Sequence, residues 1–534
     1  MKFAVIVALF LFMVPVSGFG ATYYVPDNFA TIQTAINSLS VFSGDTIIVK
    51  PGTYTERINF MGKTLTVKSE QGPENTVIRG DRAGSLVMFV SGEGSDCVLE
   101  GFTLTNGEDL WGGAVYIAYS TPLIKGNIIT GNYANRGAGI YCTNANAFIA
   151  NNSIVSNTAT ATLFYEALGG GISCLNSAPS IYYNVIESNY VDEGAGGGIH
   201  CQSGTAVIKY NLINDNDVGE GNGGGICCNK CGAVLSNNTI AGNTSDFGGG
   251  IYLEDSGAKL VNDMVTRNIA IRGGGIWCQD QMLDMMNCTV AANLSLESVG
   301  GGVYCTSSSK IINSLLWSNI GDNTYGSSTP VIMYCNTQKE WAGTGNISRN
   351  PDFVNPASGN YHISRLSSCI NLGTGVDAPN DDVDGNPRPI MGSIDIGADE
   401  FNGSHTLSAD EFDVSASVAD LVNFAIKARN SDAGRSYIML GSVSGMTPGF
   451  ALPSGQTVLP LNVDIFTVNF VFPLLNTYTF TNFMGVLNAS AGASAVLHTP
   501  VMDPSVVGFY MYYAYVVGAP YDLSSNGVAV RIAP

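Results

Sequence analysis

Between Gly112 and Asn336 the chain repeats one short phrase, a glycine-rich triplet followed by an aliphatic residue. No other feature restricts the fold as much. Clear copies read Gly169-Gly170-Gly171-Ile172-Ser173-Cys174, Gly196-Gly197-Gly198-Ile199-His200-Cys201 and Gly273-Gly274-Gly275-Ile276-Trp277-Cys278. Counted from the aliphatic residue, copies fall at Val115, Ile140, Ile172, Ile199, Ile226, Ile251, Ile276 and Val303, in steps of 25, 32, 27, 27, 25, 25 and 27 residues. A degenerate further copy stands at Met333-Tyr334-Cys335. A period of this size marks stacked supersecondary units.

The content of one period decides which unit. A second phrase precedes each glycine run, as in Ile129-Thr130-Gly131-Asn132, Ile154-Val155-Ser156-Asn157 and Ile240-Ala241-Gly242-Asn243. Short β-branched runs alternate with Gly and Asn, and no window has helical spacing long enough to bury a face. One coil of short strands per period is a parallel β-helix, each coil stacked on the last at roughly 4.8 Å.

Stacking turns sequence columns into ladders. The aliphatic residue and the one two places on share a face, so Ile140/Cys142, Ile172/Cys174, Ile199/Cys201, Ile226/Cys228, Ile276/Cys278 and Val303/Cys305 point inward. Seven of the twelve cysteines, with Cys335 placed in this column, read as buried free thiols. In-register parallel side chains would strain a disulfide. Asn132, Asn157, Asn189, Asn216, Asn243, Asn268, Asn293 and Asn319 form a second ladder at a turn, where Asn tolerates left-handed backbone.

Of 534 residues only 12% are charged, and the net charge is −20. So acidic a surface does not favour nucleic acid, whose phosphates need cations. Residues 1–20 carry Lys2 and the apolar run Phe3–Val16 before small residues, the pattern of a secretory signal. No later stretch is long and apolar enough to span a bilayer. The expected location is secreted or at the outer cell surface, as a monomer.

From Tyr23 to Val67 the chain reads Tyr23-Tyr24-Val25-Pro26, then Ile32, Ala35, Ile36 and Leu39 at helical spacing, then Asp45-Thr46-Ile47-Ile48-Val49 and Leu65-Thr66-Val67. The helix, with Asn28 as its cap, is expected to cover the open end of the first coil. With these segments, residues 24–105 resemble the start of the pectin-lyase-like superfamily, including pectin methylesterase-type and periplasmic copper-processing β-helix proteins. That resemblance implies a right-handed helix. The repeats over 112–320 resemble those of the polymorphic outer-membrane protein family, β-helical surface adhesins. They depart from it in carrying Ile, Val or Leu where that family has Phe, and its membrane barrel has no counterpart in the last 130 or so residues.

A closing segment runs through Asn350-Pro351-Asp352, Tyr361-His362-Ile363 and Asp384-Gly385-Asn386-Pro387-Arg388 to Asp399-Glu400-Phe401, and resembles the terminal segment of secreted bacterial β-helix proteins. Its acids Asp377, Asp381, Asp382 and Asp384 are dense enough to hold Ca²⁺, but they lack EF-hand spacing and read rather as a solvated turn. Beyond it the cysteines and the glycine repeat stop. Runs such as Tyr437-Ile438-Met439-Leu440, with turns at Ser454-Gly455 and Asn526-Gly527, predict a β-sandwich. The expected fold is therefore all-β: a right-handed parallel β-helix over 21–401 with an N-terminal capping helix, then a C-terminal β-sandwich over 402–534.

Candidate function lies on outward positions. One place after the aliphatic residue stand Tyr116, Tyr141, His200, Tyr252, Trp277, Tyr304 and Tyr334, with Glu254 and Gln279 beside the stripe. Aromatic rings stack on sugar faces while amides and carboxylates take the hydroxyls, which predicts a polysaccharide or surface glycan as partner. Aromatics stacked on one another for stability account for the same pattern. A second outward column, Glu166, Glu193 and Glu220 on successive coils, is a candidate Ca²⁺ site, because stacked carboxylates repel without a cation or a proton. The likeness to β-helix lyases implies Ca²⁺ with an Arg or Lys base beside it, for which Arg136, Arg267 and Arg272 stand as candidates. Three functions follow: a glycan-binding or adhesive face, a polysaccharide-degrading lyase or glycoside hydrolase, or a purely structural surface spacer.

Overall fold

The structure, a computed structural model, describes residues 20–534 apart from 281, 322–323, 327–329, 391–392, 404–405, 453–456, 519–520 and 522. The expected signal segment and the Ser454-Gly455 turn lie outside the described residues.

A full coil carries four short strands, exemplified by Ile140–Thr143, Phe148–Ala150, Ser153–Val155 and Thr158–Ala159. Equivalent strands pair in parallel from coil to coil, giving sheets I to IV in that order. Among the described residues these hold eleven, thirteen, twelve and nine strands. The protein is an all-β parallel solenoid of about eleven coils. Register follows the sequence columns: Cys142 pairs with Cys174, Cys174 with Cys201, and Cys201 with Cys228.

Sheets I, II and III enclose one apolar core that runs from Val25 to Cys335. All twelve cysteines are buried and unbridged. Six form the inward column, but Cys335 does not. The strand before it, Val331–Met333, pairs with Lys310–Ile312 in sheet II, so Tyr334 and Cys335 occupy the turn from sheet II to sheet III. In that coil the sheet I strand is Thr324–Gly326, where Tyr325 pairs with Tyr304. The degenerate repeat is therefore out of column, because the aliphatic-x-Cys pattern recurs at a second corner.

The asparagine ladder is present, and it has a twin. Asn189 donates its backbone N–H and Nδ2 to Asn216 Oδ1, at 3.0 and 2.9 Å, and its Nδ2 also reaches the Ile154 carbonyl at 2.9 Å. A second file of the same geometry, Asn127, Asn152, Asn184, Asn211 and Asn238, lines the preceding corner and continues into Asp263. The left-handed backbone belongs to the residue before each ladder asparagine, for example Ser156, Ser188 and Asp215, and not to the asparagine itself. The ladder residues instead satisfy buried main-chain groups at the bends.

The glycines join sheet IV to sheet I. Gly169 has φ +69°, and a Cβ on Gly170 or Gly171 would come within 2.7 Å of the Gly197 carbonyl or 2.6 Å of the Gly198 carbonyl. No side chain fits where successive coils pass this closely.

At the N-terminal end a six-residue helix, Ile32–Asn37, buries Ile32, Ala35 and Ile36 in the solenoid core. Its cap is Thr31, which forms a capping box with Thr34, while Asn28 accepts the Tyr24 N–H. Leu39 lies beyond the helix and is 93% exposed.

Residues 350–401 do not add coils. They lie along the outside of the solenoid as a strap across the corner between sheets II and III. Tyr210 donates to Asp381, Asn262 to the Asp381 carbonyl, Asn287 to the Asp395 carbonyl and Asn313 to the Thr374 carbonyl. The acidic turn is solvated only in part: Asp377 and Asp384 are exposed and Asp381 is half-buried. Asp382 is fully buried and accepts from the Asp384, Asn386 and Glu400 N–H groups. Residues from Leu407 to Ile532 have a separate core between two largely antiparallel sheets.

Candidate functional site

The outer face of sheet I is not open. Because the glycine run is so short, the ends of the sheet IV strands fold over it. Leu168 and Ala195 pack with Cys227, Tyr252 and Trp277, and Phe247 meets the Trp277 ring edge-on at 5.1 Å. Tyr141, His200, Tyr252 and Trp277 are consequently only 4, 4, 6 and 7% exposed. Trp277 stacks on Tyr304 with centroids 3.9 Å apart, and Tyr116 stacks on Tyr141 at 5.9 Å. The aromatic stripe lies outside the core as expected but is covered: these rings chiefly pack under the overhang and on one another, as the stability account of the pattern has it. Tyr116 and Tyr304 are half-buried at its margin, and Tyr334 sits at a different corner.

Where the overhang meets sheet I, it leaves a groove of about 550 Å³. Glu166, Glu193 and Glu220 line its sheet IV side, and Glu193 and Glu220 are in direct parallel register. Its sheet I side is the polar ladder Gln202, Asn229 and Glu254, in register over three coils, where Asn229 Nδ2 donates to Glu254 Oε2 at 2.8 Å. Gln279 continues this column one coil beyond. His200, Cys227 and Tyr252 reach the groove from below. From Arg136 to Glu254 it crosses five coils, roughly 20 Å.

Arg136 shapes the electrostatics of one end. Its guanidinium lies 5.7 Å from the Tyr165 ring centroid, its Nε is buried without a partner, and it makes no ion pair among the described residues. Burial, and then the Arg136 charge, pushes the His200 imidazole down to about 3, so that ring is neutral at physiological pH. Its Nδ1 lies 3.5 Å from Ser173 Oγ. Burial, and then Glu254, raises the Tyr252 hydroxyl above its ordinary value.

The structure thus brings the two predicted outward columns to one place. It does not make the three glutamates a ligand set. Among the described residues, the one group of three His, Cys, Asp or Glu whose ligand atoms converge is His362, Asp384 and Asp399, on the strap. Sequence columns gave the glutamates, and the lyase likeness put forward Arg136 with Arg267 and Arg272; that only Arg136 of the three lines the groove needs the offset between sheets IV and I.

Fold and groove define a class, a parallel β-helix protein with a polar groove along its flank. The family model for a right handed β-helix region matches residues 85–263, about a third of the chain. Among curated proteins none matches the sequence. Solved structures similar in shape include pectate lyase Pel9A, at 16% identity over 72% of this chain and 97% of that one with a TM-score of 0.38. Another is a pectin methylesterase in complex with a hexasaccharide, at 12% identity over 46% of this chain and 89% of that one with a TM-score of 0.31. Likenesses this distant assign no chemistry. No helix among the described residues is long and apolar enough to cross a membrane.

Proposed function

We propose that this is an exported surface or extracellular β-helix protein whose groove binds a polysaccharide. In this reading residues 21–401 are one domain closed at its start by the Ile32–Asn37 helix, and residues 402–534 are a β-sandwich. The observation that carries it is the lining of the groove. A buried unpaired Arg136 nitrogen, the carboxylates of Glu166, Glu193, Glu220 and Glu254, and the amides of Gln202 and Asn229 offer donors and acceptors along roughly 20 Å. Sugar hydroxyls take both, and the excess of carboxylates favours a neutral glycan over an acidic one unless Ca²⁺ bridges.

The test is retention of neutral and acidic glycans by the folded chain with and without Ca²⁺, in affinity electrophoresis. Arg136→Met, and Glu193→Gln combined with Glu220→Gln, are each expected to weaken retention at least tenfold without lowering the melting temperature. Undiminished retention in both variants sinks the groove as the binding site. Tyr252, Trp277 and Tyr304 are poor probes, because shortening such packed rings unfolds the overhang.

A second reading, a polysaccharide-degrading lyase or hydrolase, rests on Glu193 and Glu220 standing one coil apart, near the spacing of a retaining glycosidase pair. Mass spectrometry of incubated glycans separates the two. Shortened chains establish the enzyme, and an unsaturated end makes it a lyase.

A further inference from the structure

The strap holds a cluster away from the groove. His362 lies on the strand Asn360–Ile363, Asp384 in the turn that Asp382 ties, and Asp399 where the strap ends. One ligand atom from each lies within 4.8 Å of the others.

The imidazole is oriented from outside the cluster. Asn360 Oδ1 accepts the His362 backbone N–H at 3.1 Å and lies 2.7 Å from Nδ1. The backbone donor fixes which end of the amide is oxygen, so Nδ1 carries the hydrogen and Nε2 of the neutral ring keeps its lone pair. Such a bond at the far nitrogen is the usual support of a metal-bound histidine. Nε2 is itself buried and has no aligned hydrogen-bond partner, although Asp384 Oδ2 lies 3.0 Å away. Two atoms that share an ion stand about 3.0 Å (octahedral) to 3.4 Å (tetrahedral) apart for legs of ~2.1 Å, each aimed at the ion and not at the other.

The third group is a buried charge. Asp399 is 7% exposed, has one oxygen on the Ile363 N–H at 2.8 Å, and pairs with no Lys or Arg among the described residues. A buried carboxylate needs a cation or a proton. A protonated His362 would supply one charge to two carboxylates, whereas a divalent ion neutralises both.

We propose that His362, Asp384 and Asp399 bind a divalent transition cation of the Zn²⁺ or Mn²⁺ class, with water completing its shell. The imidazole nitrogen selects against Ca²⁺, which takes oxygen ligands. The ion joins three segments of the strap, and so acts as a clip that holds it closed over the solenoid.

The experiment is calorimetric titration of the EDTA-stripped full chain with ZnCl₂, MnCl₂ and CaCl₂. The expected result is one equivalent of Zn²⁺ or Mn²⁺ bound, with Ca²⁺ at least tenfold weaker. His362→Ala and Asp384→Asn should each weaken binding at least tenfold, while Glu193→Gln with Glu220→Gln leaves it unchanged. Asp384 is half exposed, so its variant folds even where Asp399 variants do not. No binding by the unaltered chain, binding untouched by both strap variants, or binding lost with the groove glutamates overturns the proposal.

Discussion

The solenoid and the strap that lies on it are held by opposite means. In the solenoid one residue type serves one position on every coil, and each bond reaches one or two coils. Asn189, Asn216 and Asn243 repeat the same contacts. In the strap nothing repeats. Arg388 is buried and donates to Glu400 Oε2 at 2.9 Å, to the Gly397 carbonyl at 2.9 Å and to the Asp381 and Asp395 carbonyls. Asp395 takes the Asn371 and Phe401 N–H groups, so its carboxylate spans the strap from one side to the other. The solenoid distributes stability over many equivalent columns. The strap concentrates it in one polar knot, so loss of a single residue has different consequences in the two regions.

The largest effect is expected at that knot. Arg388→Ala leaves the buried Glu400 carboxyl without its cation, a loss of about 3–5 kcal/mol. Hydrogen exchange should show residues 360–401 opening while the ladder amides of the solenoid stay protected. Simultaneous loss of both protections would abolish the distinction. Asn216→Ala comes next. It deprives the Ile186 carbonyl and the Asn189 N–H of partners, at roughly 3 kcal/mol in denaturant unfolding. Stacked neighbours should confine that damage to adjacent coils.

Asp263 sharpens the comparison in the other direction, since it is a carboxyl set into an asparagine ladder. It accepts from both Asn238 donors, its Oδ2 has no partner, and burial raises it to about 7. An acid raised above its unfolded value near ~3.9 holds its proton better when folded. Its contribution is therefore full below pH ~4 and falls as pH rises toward 7. Asp263→Asn should raise the melting temperature at pH 8 and flatten its dependence between pH 4 and 7, at ~1.4 kcal/mol for each tenfold in the proton equilibrium. An unchanged slope would assign the titration elsewhere. The smallest effect is expected in the groove: Glu193→Gln is exposed and should move stability by under ~0.5 kcal/mol.

Much of the solenoid was legible because its determinants are local. Alternation along a strand put Cys142 and Cys174 inside, and the spacing of Asn157 and Asn189 put them at one corner. Cys335 misled because aliphatic-x-Cys recurs at the turn after sheet II, and only pairing tells the two corners apart. The second asparagine ladder carried a visible signal, Asn127, Asn152, Asn184, Asn211 and Asn238, each five residues before a member of the first. Asp382 read as a solvated turn because nothing local reveals that Asn237 and Glu400 close over it.

By itself the sequence determined that the chain coils, its period, and which faces alternate, because these follow from the two-residue repeat of a strand and the steric demand of the glycine run. Only the tertiary structure decided which outward face stays open. Trp277 and Tyr252 occupy outward positions and are nonetheless covered, since Phe247, Leu168 and Ala195 reach them from another sheet. The groove beside Arg136 and the convergence of His362, Asp384 and Asp399 have the same origin. Each depends on segments distant in sequence arriving at one place, and no local spacing encodes that.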